Sequence, residues 1–174
     1  MADQPDGIVL PRHRDLQGRA WHPWVRRCLL GVVVLIAVLA LVGVFGQRPS
    51  TTRASAAPAT LSVSAPDAVR GGLLYQARFT IDADEALSDA TLVLSSSWLD
   101  GMTVNTIEPG PVNEASRNGS LVLSLGHLPA GASYVLFVQF QVNPTTVGRR
   151  TLRTELQDGD QPILTITRHL RVFP

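Results

Sequence analysis

The chain has one cysteine in 174 residues, Cys28, and it lies ahead of every segment with a folding pattern. No disulfide can staple those segments, so they must fold around an apolar core. Aromatic residues make up only 6% of the sequence, which leaves aliphatic side chains to fill most of that core. Lysine is absent: all fifteen basic residues are arginine, which with abundant alanine, valine, glycine and proline points to a bacterial genome of high GC content. Also missing are a Gly-x-Ser-x-Gly elbow, a phosphate-cradling glycine loop and zinc-ligand spacing, the usual sequence carriers of hydrolytic, nucleotide and zinc chemistry. A second long apolar run is missing too.

The one such run, residues 29–45, is LLGVVVLIAVLALVGVF, without charge or proline. As a helix it covers roughly 26 Å at about 1.5 Å per residue, and with Trp24 to Cys28 it reaches a hydrocarbon thickness of about 30 Å. Thirteen of its residues are Leu, Ile, Val or Phe. At about −0.3 to −0.6 kcal/mol each, they favour insertion by roughly 4 to 8 kcal/mol. Five arginines against three acids precede the run, whereas only Arg48 and Arg53 occur in the thirteen residues after it. The positive-inside rule then makes the N-terminus cytoplasmic and the rest extracytoplasmic. Trp21 and Trp24, with Arg26 and Arg27, form the expected membrane-interface belt. A cleaved signal peptide ending near Ser55 and Ala57 is the competing reading. However, the run exceeds the usual 7 to 15 residues, and the small residues lie well past it. The lipid bilayer is therefore the first partner.

Four segments follow from these patterns: a disordered cytoplasmic tail over 1–23, a transmembrane helix over 24–46, an extended linker over 47–59 and a folded extracytoplasmic domain over 60–174. The tail holds His13 and His22 without metal-ligand spacing. The linker reading rests on the small, proline-punctuated composition of QRPSTTRASAAPA. Residues 60–174 carry eight arginines and eleven acids, which argues against nucleic acid as a partner.

From Thr60 onward the apolar period becomes two. Leu73, Tyr75, Ala77, Phe79 and Ile81 form one face of a strand, and so do Tyr134, Leu136, Val138, Phe140 and Val142. Further strands are read at Ala90–Leu94, Leu121–Leu125 and Leu164–Val172, and weaker ones at Leu61–Ala65, Met102–Ile107 and Thr151–Leu156. Asn118-Gly119, Asp100-Gly101 and Asp158-Gly159 mark reversals, and Pro109-Gly110-Pro111 marks a loop. Eight strands without an intervening helix predict an antiparallel sandwich.

Leu128, Pro129, Gly131 and Tyr134, followed by alternating Leu136, Val138 and Phe140, resemble the turn-to-strand segment of fibronectin type III and related Ig-like domains. The stretch from Leu61 to Leu156 is also similar to the conserved-repeat Ig-like domains of bacterial surface proteins. The resemblance implies an Ig-like antiparallel β-sandwich with Tyr134 as the tyrosine-corner residue, so the expected fold is all-β, preceded by the one N-terminal transmembrane helix read from the apolar run. Trp98 would be either the central packing tryptophan or a residue at a strand end.

Candidate chemistry in the domain is thin. His127 and His169 are its only ordinary bases and read as solvent-exposed. Asp82, Asp84 and Glu85, and Asp158 with Asp160, could offer carboxylates to calcium, but neither group matches a full calcium loop. Expected, then, are no catalytic residues, no cofactor and no metal. The expected role is non-catalytic, with an envelope or membrane protein as partner. An alternative is a glycan or small-ligand binder using Trp98 and the loop from Glu108 to Arg117.

Overall fold

The computed structural model describes residues 21–41 and 47–174. Of the expected disordered tail over 1–23, residues 1–20 fall outside them and His22 and Pro23 lie in a helix; the last five residues of the expected span, 42–46, also fall outside them. The chain forms two compact units divided at residues 44 and 45. In the first, helix α1 spans His22–Leu41. Its twenty residues make a rod about 30 Å long. Among the described residues none of the helix is buried, and by length and composition it could cross a membrane.

The second unit is an Ig-like two-sheet sandwich. One sheet holds β1 (Pro49–Ala56), β2 (Ala59–Pro66), β4 (Leu74–Ala83), β9 (Ser133–Val142) and β6 (Met102–Glu108), in that spatial order. The other holds β3 (Ala68–Arg70), β11 (Gln161–Phe173), β10 (Gly148–Asp158), β5 (Leu87–Leu94), β8 (Ser120–Leu128) and β7 (Asn113–Arg117). Neighbours pair antiparallel except β3, which lies parallel to β11.

Alternation decides which face is inside. Tyr75, Ala77, Phe79 and Ile81 on β4 and Leu136, Val138, Phe140 and Val142 on β9 are all buried, as their period-two pattern requires. Leu73, read as part of that face, is instead exposed, because it belongs to the turn before β4. Where the two inner faces meet, Trp98 stacks on Phe140 with centroids 5.1 Å apart, and Tyr75 stacks on the same ring at 5.4 Å. Phe79 meets Trp98 edge-on at 5.6 Å. Such offset and edge geometries add about 0.5–1.5 kcal/mol per pair beyond the area buried.

Both readings of Trp98 hold together. It ends a 3-10 turn, Ser96–Trp98, after β5, and that turn drops its ring into the centre of the core. Its indole N–H donates to Thr154 Oγ1 at 3.1 Å, so its one polar atom is satisfied.

Three strands escape the sequence pattern. Most of the expected linker is β1, which pairs along all eight residues with β2, from Pro49 opposite Pro66 to Ala56 opposite Ala59. β1 is an edge strand without a fully buried residue, so nothing selects apolar side chains there and its composition imitates a tether. β3 is three residues long, and β7 is wholly exposed.

The tyrosine-corner bond is not formed. Tyr134 lies opposite Ile81, partly buried, and its hydroxyl makes no hydrogen bond among the described residues. The main chain ties the corner instead: Gly131 N donates to Ala83 O at 2.7 Å, and Ala83 N to Ala132 O at 2.9 Å.

Candidate interaction surfaces

Of the residues expected at a membrane interface, Trp21 lies just before α1 and Trp24, Arg26 and Arg27 lie in its first turns. Trp21 and Trp24 are exposed, and the Arg27 guanidinium lies 5.6 Å from the centroid of Trp24, a cation–π distance. Arg26 and Cys28 are exposed beside them.

The strongest polar constellation in the β domain centres on a residue the sequence pattern hides. β11 alternates Leu164, Ile166, Arg168, Leu170 and Val172 on its inner phase, and all five are buried, with Arg168 only 4% exposed. An ion taken from water needs every donor satisfied. Arg168 Nη1 donates to Val63 O at 2.7 Å, Ser50 O at 2.9 Å and Thr52 Oγ1 at 3.2 Å. Nη2 donates to Ala65 O at 2.6 Å, Ser50 Oγ at 2.9 Å and Asp67 Oδ1 at 3.0 Å. Burial pulls its pKa below the ordinary arginine value, against the attraction of Asp67. The fork thus joins β11 of one sheet to β1 and β2 of the other. The sequence did carry a signal for it, a charge on the apolar phase of a strand.

The expected histidines and acids are scattered. His127 is exposed on β8 with Nδ1 2.9 Å from Leu87 O, and His169 is exposed on β11 with Nδ1 3.4 Å from Thr151 Oγ1. Asp82 accepts from Ser133 Oγ at 2.7 Å and pairs with Arg53 at 3.5 Å. Asp158 accepts the Asp89 N–H at 2.8 Å, and Asp160 pairs with Arg117 at 3.0 Å. Among the described residues, no three His, Cys, Asp or Glu side chains stand together as metal ligands.

A glycan surface built on Trp98 is overturned, because the ring is wholly buried. The outer face of the six-stranded sheet has a depression of about 270 Å³ lined by Val93, Ser95, Ser120, Arg153 and Glu155. It has no aromatic platform and is smaller than most ligand pockets.

Four strand edges remain, with unequal exposure of their backbone. β6 has a register shift between Val104 and Thr106, a bulge that spoils its edge as a template. β3 is too short, and β1 opens on Pro49, which turns outward without an N–H to offer an added strand. β7 differs. Its five residues pair in unbroken register with β8 through the Asn118-Gly119 turn, where both residues have positive φ (52° and 75°), and all five are exposed.

The chain matches no protein-family model and no curated protein. Solved structures of similar outline include the CARDB domain of a Pyrococcus furiosus protein in complex with di-metal ions, at 14% identity and TM-score 0.44, covering 73% of this chain and 90% of that one. Another is AvmM, which catalyses macrocyclization in alchivemycin A biosynthesis, at 8% identity and TM-score 0.44, covering 74% and 90%. A third is CaCohA2 from Clostridium acetobutylicum, at 11% identity and TM-score 0.45, covering 72% and 91%. Likeness at this level carries no inference about what the chain binds or does.

Proposed function

We propose that this is a single-pass bacterial membrane protein with a cytoplasmic N-terminus, whose sandwich stands outside the membrane and binds an envelope or membrane protein without catalysis. The anchor reading draws on the length and apolar composition of α1 and on the arginine excess before it. Cleavage near Ala57 would remove β1 and with it the strand to which Arg168 is bonded, which favours an anchor over a signal peptide.

One observation carries the binding mode: β7 is a regular, bulge-free and wholly exposed edge. Such an edge accepts an added strand through main-chain bonds. In a hairpin closed by a two-residue turn, Arg117 and Ser120 form the first bonded pair, so Glu114 and Ser116 direct their N–H and C=O groups outward. The test is photo-crosslinking from position 116 of the full chain in intact membranes. The expected result is a discrete protein adduct that Glu114→Pro abolishes while thermal stability stays the same, since that N–H serves no bond within the hairpin. Absence of any protein adduct, or an adduct indifferent to Glu114→Pro, refutes strand addition. A C-terminal reporter active only in the cytosol refutes the topology.

A further inference from the structure

The corner of the sandwich where the chain enters at Gln47 concentrates two kinds of side chain. Main-chain bonds gather several turns there: Gly71 N to Phe173 O at 2.8 Å, Val142 N to Leu73 O at 3.0 Å and Asn143 N to Gly101 O at 2.9 Å. Gln47 itself donates through Nε2 to Leu74 O at 3.2 Å. At this end Leu73, Leu74, Val147 and Phe173 are 47%, 46%, 57% and 44% exposed. Only two other large apolar side chains of the described β domain, Val112 and Val135, are exposed. Four exposed apolar side chains at one end of a small domain call for a partner surface.

The charges around it define the partner. Arg70, Arg149 and Arg171 are exposed at the same end. Arg149 and Arg171 are direct cross-strand partners on β10 and β11, a like-charge pairing that costs stability in isolation. An anionic surface laid over both would reverse that cost. The acids of this end, Asp67 and Asp100, are already engaged by Arg168 and Arg150. The opposite end, by contrast, carries exposed Asp84 and Glu85 on the turn after β4. The domain is therefore polarised, basic and apolar where residue 47 enters and acidic at the far end.

We infer that this basic, apolar end rests on the outer leaflet of the bilayer, with the leucines, Val147 and Phe173 dipping among anionic phospholipid headgroups and the arginines binding their phosphates. The inference rests on the anchor reading. Residues 42–46 join the last described residue of α1 to Gln47 and reach at most about 20 Å when fully extended. The entering corner is thus held near the interface. Apolar tips ringed by arginine combine the two attractions that bind peripheral surfaces to anionic lipid.

The test uses the full chain carrying Cys28→Ser, with an environment-sensitive fluorophore at Val147→Cys or, as the far-end control, at Val112→Cys. The chain is reconstituted into phosphatidylcholine vesicles with or without phosphatidylglycerol. With the anionic lipid, the position 147 label is expected to shift to the blue and to resist acrylamide quenching, while the 112 label stays open to water. Arg149→Glu turns the like-charge pair into an attractive one, so the fold is kept while two charges are lost. At about fivefold per charge near an anionic surface, the docked-to-free ratio is expected to fall roughly 25-fold. If the chain floats with the vesicles after alkaline extraction but the 147 label quenches like the 112 label, docking is refuted and the anchor stands. If the chain does not float, the anchor reading fails and this inference falls with it. Protection that tracks protein density instead of anionic lipid identifies a face between copies and overturns the proposal.

Discussion

Arg168 and Ser50 stand 118 residues apart in the chain and are joined by two hydrogen bonds, Nη1 to Ser50 O and Nη2 to Ser50 Oγ, both at 2.9 Å. They fasten the last strand of the sandwich to its first. Replacing Arg168 with Met removes its six hydrogen bonds to Ser50, Thr52, Val63, Ala65 and Asp67. The expected cost is about 1.5–3 kcal/mol, the range for lost hydrogen bonds to a charged group, because the Asp67 left behind is 61% exposed and water takes the place of the guanidinium. Arg168→Lys keeps the charge but loses the planar fork, and should fall between the two. Hydrogen exchange checks this: amides of β1 should exchange faster in Arg168→Met than those of central β9.

Trp98 tests the core. Trp98→Ala is expected to cost about 3–5 kcal/mol, since it opens a cavity between Phe79 and Phe140. Trp98→Phe keeps much of the stack but leaves Thr154 Oγ1 without its donor at 3.1 Å, for about 1–3 kcal/mol. Denaturant melts of the two variants in the same micelles give the order directly.

Two glycines with positive φ separate backbone strain from steric clash. Gly101 and Gly131 have φ of 68° and 78°. A Cβ on Gly131 meets open space, whereas one on Gly101 would collide with Thr146 Oγ1. Gly131→Ala is expected to cost about 1 kcal/mol from φ alone, and Gly101→Ala distinctly more, because Thr146 must also give up its bond to Gly101 O. Equal melting temperatures for the two variants would contradict this.

Alkaline pH should destabilise the domain. Burial raises the Tyr75 pKa well above its ordinary value near 10, although the charge of Arg168 opposes the shift. The folded state therefore holds the phenolic proton more tightly than the unfolded chain does. That stabilisation is complete below pH of about 10 and is lost as pH rises from there through the folded pKa, by up to about 1.4 kcal/mol per unit. Tyr134, raised by its own partial burial, acts in the same direction. Tyr75→Phe should flatten most of the slope, and ultraviolet titration of the two tyrosines should show one ionising only on unfolding.

Much of this fold was legible because its central strands are buried on one face. Wherever packing demanded an apolar residue at every second position, as along Tyr75 to Ile81 or Leu136 to Val142, the pattern named both the strand and its inner side. Edge strands lie under no such demand. PSTTRASA in β1 and NEASR in β7 are held by pairing with a neighbour, and pairing leaves little mark on composition. The resemblance placed Tyr134 in a corner, but the corner is closed by backbone, a detail that depends on local turn geometry. Arg168 was visible as an odd residue on an apolar phase, while its six acceptors lie on segments far away in sequence. The basic end was invisible for the same reason: its leucines, valine, phenylalanine and arginines come from three separate segments, 70–74, 147–149 and 171–173.

β1 has one more consequence. It begins two residues after Gln47 and runs the length of its neighbour, so a pull applied at Gln47 in line with β1 loads that strand along its axis. Such a load acts on eight residue pairs together, as shear, and does not peel them apart singly. Arg168 adds a rivet to the opposite sheet next to the point where the force enters. The sandwich is thus strongest where it would be pulled.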